Sequence, residues 1–223
     1  MSNTIAHIAV AKGVLNKRPD LVQNKRAYYL GALAPDAILG VPGSTAEDKK
    51  RVHLRAGIPD DRWFEPDQIA IFTERVQEFV REHIINETDG SQRDFNMGYI
   101  VHALTDKCNH RFICPKVLKK ANEMGLGFAD YCNMCVNDLE ALDVYLLEKY
   151  PELGELLDEL ISTKAEYGLS GWIEKEHVSS AMWWVSNKYL PGIKNRKIKY
   201  ITMADIEEFV PYSVEKILEE LIV

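Results

Sequence analysis

The chain has no stretch approaching the roughly 18 apolar residues of a membrane span. Its start, MSNTIAHIAVAKGVL, has neither a basic leader nor a small-residue cleavage site. The expectation is a cytoplasmic chain with no secretory leader and no transmembrane segment. Basic residues are not in excess: 27 Lys and Arg against 34 Asp and Glu leave a formal net charge of -7. That balance argues against nucleic acid as a partner. The one basic run, IKNRKIKY at 193–200, has no aromatic interleaving beyond Tyr200 and reads as a solvated turn between helices. Alternating runs of period two are nearly absent, which removes the signature of a half-buried sheet. No repeat or low-complexity tract occurs.

What is present is helical spacing. The 223 residues, 46% of them apolar, suffice for one domain with a sizeable core. IAHIAVAKGVL gives a first helix, ended before Arg18-Pro19. LVQNKRAYYLGALAPDAILG gives a second, interrupted at Gly31 and Pro35. A turn-rich, charged stretch follows, and PDQIAIFTERVQEFVREHII then opens on Pro66 with a clear apolar stripe. Further helices are expected at 93–112, stopped near Pro115, and at 128–148, 152–162 and 174–189. The last, TMADIEEFVPYSVEKILEEL, is opened by Thr202 as its cap. The expected fold is all-α: a single-domain bundle of about eight helices over 1–223, with a long loop at about 41–64. Of the four cysteines, Cys132 and Cys135 form C-x-x-C. On a long helix that spacing reads as incidental, with free thiols in a reducing compartment.

The polar residues carry the chemistry. His102, Asp106 and His110 in YIVHALTDKCNHR stand four apart, so on a helix imidazole, carboxylate and imidazole share one face. That set suits zinc, iron or manganese; it also describes a polar edge on which Asp106 pairs with Lys107 or Arg111. His7 sits among apolar residues in TIAHIAVA. Asp36 is the one charge in YYLGALAPDAIL, where a carboxylate must be hydrogen-bonded, paired or beside a metal; the plain alternative is a cap on the short helix after Pro35. Gly31 permits close approach of a neighbour or ligand. His177 reads as surface and His83 as packed or capping. Trp63 and Phe64 read as an anchor pinning the loop, or else as an apolar entrance. Trp183 and Trp184 point about 100° apart on a helix, so at least one is expected in the core.

These residues together resemble the zinc-dependent phospholipase C-like family, all-helical metallohydrolases more distantly similar to the S1/P1 nucleases. The resemblance lies in an early histidine (His7), the element YLGALAPD with Gly31, Pro35 and Asp36, a loop histidine (His53), and the helical H-x-x-x-D with a later histidine (His102, Asp106, His110). It covers residues 7 to 110, with weaker agreement to about 143. It implies one to three zinc ions, with iron or manganese as alternatives. His53, His102 and Asp106 would be ligands of one ion, and Asp106 would bridge to another held with His7. Asp36 would orient or deprotonate the attacking water, and His110 would begin a third site. The family completes that site with a helical H-x-x-x-E; here the acidic residue would be Asp138 or Glu140, and Met134 stands four residues before Asp138.

The implied activity is hydrolysis of a phosphate ester or phospholipid, a phosphodiesterase reaction driven by metal-activated water. Two rivals stand beside it. HD-type nucleotide phosphohydrolases are also all-α, but no His-Asp dipeptide occurs here. A metal-poor, non-catalytic scaffold of the same fold is the other, favoured by the missing histidine near 134.

Overall fold

Two glycines decide how the central helices meet. Gly31 on α2 (Lys25–Leu33) and Gly98 on α5 (Gly90–Phe112) each face the other helix's backbone. A Cβ on Gly98 would stand 1.8 Å from the Tyr28 carbonyl oxygen, and one on Gly31 1.9 Å from that of Phe95. Only glycine permits such an approach. The computed structural model describes residues 3–63 and 65–221; Phe64, expected as anchor or entrance, lies outside them. Gly31 therefore does not interrupt its helix. The break comes at Ala34, where a 3-10 segment, Ala34–Gly40, takes over with Pro35 in its first turn.

Around this pair the described residues form an all-α, compact multi-helix bundle with eleven α-helices and no strand; Leu169 and Ile173 make one isolated bridge. α1 (Thr4–Lys17) is buried on every side from Thr4 to Ala11 and packs against α2, α5, α7 (Phe128–Lys149) and α11 (Met203–Glu220). A helix apolar all round belongs in the core. The backbone N–H groups of Ile5 and Ala6 donate to the buried Asp143 carboxylate of α7 at 3.0 and 2.8 Å, and the Tyr189 hydroxyl donates to the same group at 2.8 Å. Asp143 thus satisfies donors that a helix start leaves open. Burial nevertheless pushes its pKa up to about 7.

The long loop expected at about 41–64 contains a helix, α3 (Ala46–Val52), opened by a capping box between Thr45 and Asp48. α4 (Pro66–Val80) continues as a π turn over Arg81–Ile85. α6 (Cys114–Glu123) carries Pro115 in its first turn; that proline starts a helix as well as following one. α8 (Glu152–Ile161), α9 (Lys175–Trp184) and the short α10 (Leu190–Ile193) complete the bundle. Trp63 is buried against Phe72 and His110, so it anchors and does not form an entrance. Trp183 and Trp184 are both exposed, at 56% and 37%, against the expectation that one is core. Ala181, Met182 and Val185 take the buried face instead. No helix among the described residues is long and apolar enough to cross a membrane.

Candidate metal centre

Four elements bring histidines and carboxylates to one place. α1 supplies His7, the 3-10 segment supplies Asp36, the end of α3 supplies His53, and α5 supplies His102 and Asp106. Their donor atoms form two overlapping groups, His7–His102–Asp106 and Asp36–His53–His102, each within 4.8 Å. His7, His53 and His102 are each 1% exposed and Asp106 8%.

The orientation of each ring follows from the backbone. His102 Nδ1 lies 2.8 Å from the Ala32 carbonyl oxygen, a contact that the glycine-mediated approach of α2 and α5 makes reachable. His53 Nδ1 lies 2.8 Å from the Lys49 carbonyl oxygen, one turn back on α3. A carbonyl only accepts, so Nδ1 carries the proton in both rings and Nε2 presents a lone pair. Tyr99, from α5, donates its hydroxyl to the Val52 carbonyl and pins the end of α3 beside His53. His7 and His102 stack face to face, with centroids 3.7 Å apart and planes 9° from parallel.

Those lone pairs face carboxylates. His53 Nε2 is 3.3 Å from Asp36 Oδ1 and 3.9 Å from Asp106 Oδ2; His7 Nε2 is 3.6 Å from Asp106 Oδ1. Two ligands on a tetrahedral ion with bonds of 2.0–2.2 Å stand roughly 3.3–3.6 Å apart. The His7 and His102 Nε2 atoms are buried with no hydrogen-bond partner, as is His7 Nδ1, and idle buried polar atoms are costly.

Electrostatics keep the donors in ligand form. Burial depresses the pKa of His7 to about 3, with His102 adding to the effect, and burial likewise lowers that of His53. Both rings are therefore neutral near pH 7. For Asp36 and Asp106 burial acts upward but is outweighed. The neighbouring His53 and His102 at Asp36, and His102, His7 and His53 at Asp106, lower both carboxyls below their usual range, so both stay ionised where the His7 and His53 rings are neutral. Carboxylate oxygens and imidazole nitrogens grouped at these distances are geometrically compatible with metal coordination.

His110 and Asp138 belong to neither group. His110 is depressed to about 3 by burial and then by the charge of Arg55, and lies against Trp63 at the wall of a neighbouring cavity. Asp138 is fully buried, but its oxygens accept from the backbone N–H groups of Lys199, Tyr200 and Ile201 at 2.8–3.0 Å and from the Asn137 amide at 2.8 Å. Asp138, expected as a metal ligand, stands in no metal-ligand group among the described residues, and its oxygens secure the segment at 199–201. Glu140 faces Arg196. Cys108, Cys114, Cys132 and Cys135 are free thiols, none in a metal-ligand group. His177 is half-buried and outside both groups. His83 packs against Phe79. Arg55 and Lys49, which line the cavity shared with Asp106 and His110, were not singled out in the sequence. Their signal is the cationic run KKRVHLR around His53.

The fold is thus an all-helical bundle with grouped metal-ligand side chains, broadly consistent with a metallohydrolase. The chain matches no family model, no curated protein and no solved structure.

Proposed function

We propose that the chain is a metal-dependent hydrolase of phosphate esters, a phosphodiesterase of the phospholipase C-like kind. The observation that carries this reading is the pair of buried, unpartnered Nε2 atoms of His7 and His102 grouped with the Asp106 carboxylate, beside a second group of Asp36, His53 and His102. His53, His102 and Asp106 would hold one ion, zinc or else iron or manganese, and His7 with Asp106 would hold a second. When bound, such ions acidify water and polarise phosphoryl oxygens. Asp36, beside His53 and mostly buried, orients the attacking water through its carboxylate and receives its proton. The Ala32 and Lys49 carbonyls hold the rings of His102 and His53 in the tautomer that leaves Nε2 free. The stacked His7 and His102 rings and the burial of the group keep bulk water from the charged side chains.

Phosphodiester, phosphomonoester and phospholipid substrates all suit this chemistry. One observation favours the metal-poor scaffold as the second reading: the oxygens of Asp138 are spent on the 199–201 turn, and no group of three containing His110 exists among the described residues. The test is Asp36→Asn. Metal content is expected to hold, because the proposed ligands His7, His53, His102 and Asp106 remain and the asparagine amide oxygen keeps a donor beside His53 and His102, while hydrolysis of bis-nitrophenyl phosphate falls by roughly a hundredfold or more. Undiminished turnover in that variant removes Asp36 from the mechanism; no turnover of any phosphoester by the metal-loaded wild type favours the scaffold.

A further inference from the structure

Beside the metal-ligand group lies a cavity of about 250 Å³ whose lining includes Lys49, Lys50, Arg55, Asp60, Asp106 and His110. Three cations meet here in a chain whose formal net charge is -7. Arg55 is the informative one. Its side chain is only 10% exposed, yet a single carboxylate, Asp60 at 3.1 Å, answers its charge. Its Nε is buried without a partner, and its guanidinium carbon lies 5.3 Å above the Trp63 ring. A buried guanidinium with an idle donor is costly, and the residue is held there at further expense.

The chain leaves α3 by a Schellman pattern: Arg55 N–H donates to the Lys50 carbonyl at 2.7 Å and Leu54 N–H to that of Arg51 at 3.0 Å. The left-handed position falls on Leu54, at φ 59, where glycine is the usual choice and leucine is strained. This turn sets His53 on the metal-ligand group and Arg55 on the cavity, two residues apart. Lys50 shares Asp60 at 3.6 Å and reaches Glu47 at 3.4 Å. Lys49 forms no ion pair among the described residues, so the wall keeps a positive surplus.

We propose that this cavity is an anion subsite that receives a second phosphate of the substrate while the scissile phosphate sits at the metal-ligand group. The inference rests on the hydrolase reading for which phosphate is cleaved, and on Arg55 and Lys49 for which substrates are chosen. It names the substrate class as phosphoesters bearing a further phosphate, soluble or displayed on a lipid headgroup. Arg55 supplies its guanidinium and Lys49 its ammonium, both charge-assisted donors suited to phosphate oxygens.

The test is calorimetric binding of glycerol phosphate and glycerol bisphosphate to the full chain, both zinc-loaded and metal-free. The bisphosphate is expected to bind about ten- to a hundredfold tighter, the worth of one or two charge-assisted hydrogen bonds. Arg55→Leu should erase that preference in the zinc-loaded protein while leaving zinc content unchanged. Lys49→Ala, on the half-exposed helix α3, should reduce it severalfold and guards against misfolding of the first variant. Phosphatidylcholine vesicles with and without a phosphoinositide that bears a second phosphate distinguish the sources. A preference seen on vesicles alone, and lost in Arg55→Leu, places the second phosphate on a lipid. Binding of either glycerol phosphate to metal-free protein, weakened in Arg55→Leu, upholds the subsite even where zinc content refutes the metal centre. Equal affinity for the two glycerol phosphates with no vesicle preference, or a preference unmoved by both variants, overturns the subsite whatever the metal content.

Discussion

Replacing Gly98 by alanine should dismantle the metal-ligand group without touching any of its side chains. The added Cβ would lie 1.8 Å from the Tyr28 carbonyl oxygen and 2.8 Å from the Ala32 backbone nitrogen. Both neighbours are backbone atoms of α2 and cannot swing aside. Real Cβ contacts essentially never fall under 3.0 Å, so the helices must separate by about 1.2 Å, the difference between 3.0 and 1.8. The hydrogen bond from His102 Nδ1 to Ala32, now 2.8 Å, then lengthens past the limit of about 3.2 Å for N–H···O. Loss of such an orienting partner typically costs about 10–100-fold in metal affinity, and the overpacking itself about 1–3 kcal/mol of stability. Urea unfolding and zinc titration of Gly98→Ala measure the two effects. Gly90→Ala is the control, because nothing lies within 4 Å of its added Cβ. If Gly98→Ala unfolds and binds zinc as the control does, the glycine contact is not what sets the His102 geometry.

Acid should destabilise the metal-free protein through its buried histidines. His110 has a folded pKa of about 3 against an ordinary value of 6.5, so the unfolded chain takes the proton first. The stability from this group is complete above pH 6.5 and is lost as pH falls toward 3. At about pH 5 the loss is roughly 2 kcal/mol. Asp143 acts oppositely, since its raised pKa favours the folded state on acidification. The clean readout is therefore the difference between wild type and His110→Gln, whose urea midpoint should fall less between neutral pH and pH 5. An identical fall contradicts a buried neutral His110. Asp138→Ala should leave three backbone N–H groups without their acceptor and cost about 3 kcal/mol or more. Zinc content should be unchanged; loss of zinc without loss of stability would return Asp138 to the metal ligands.

The helical class was legible because apolar spacing is a local signal, and His102 with Asp106 because a fixed helical spacing puts them on one face. The meeting of His7, Asp36 and His53 with that pair was implied only by family resemblance, since sequence order does not give distances. The helix at Cys114–Glu123 was missed because Pro115 reads equally as the end of one helix and the start of the next. α3 was hidden in a charged stretch too short for an apolar period, although Thr45 and Asp48 spell its capping box. The part played by Asp138 was not legible at all. Its donors come from about sixty residues further along the chain, and nothing local distinguishes a carboxylate that binds metal from one that secures a distant turn. Gly31 was read correctly as a point of close approach and wrongly as a helix break, because glycine's missing side chain serves both ends. Of the exposed pair, Trp184 stacks on Tyr189 and lines a small pocket with Asp36, contacts between distant residues that no local spacing announces.

The most direct test of the metal centre is elemental analysis of the untagged protein after zinc reconstitution and removal of excess metal, for wild type, His102→Ala and His177→Ala. Two zinc ions per wild-type chain are expected, the same in His177→Ala, and loss of most of the metal in His102→Ala, whose ring belongs to both ligand groups. No retained metal in the wild type, or equal metal in the two variants, would contradict the metal centre.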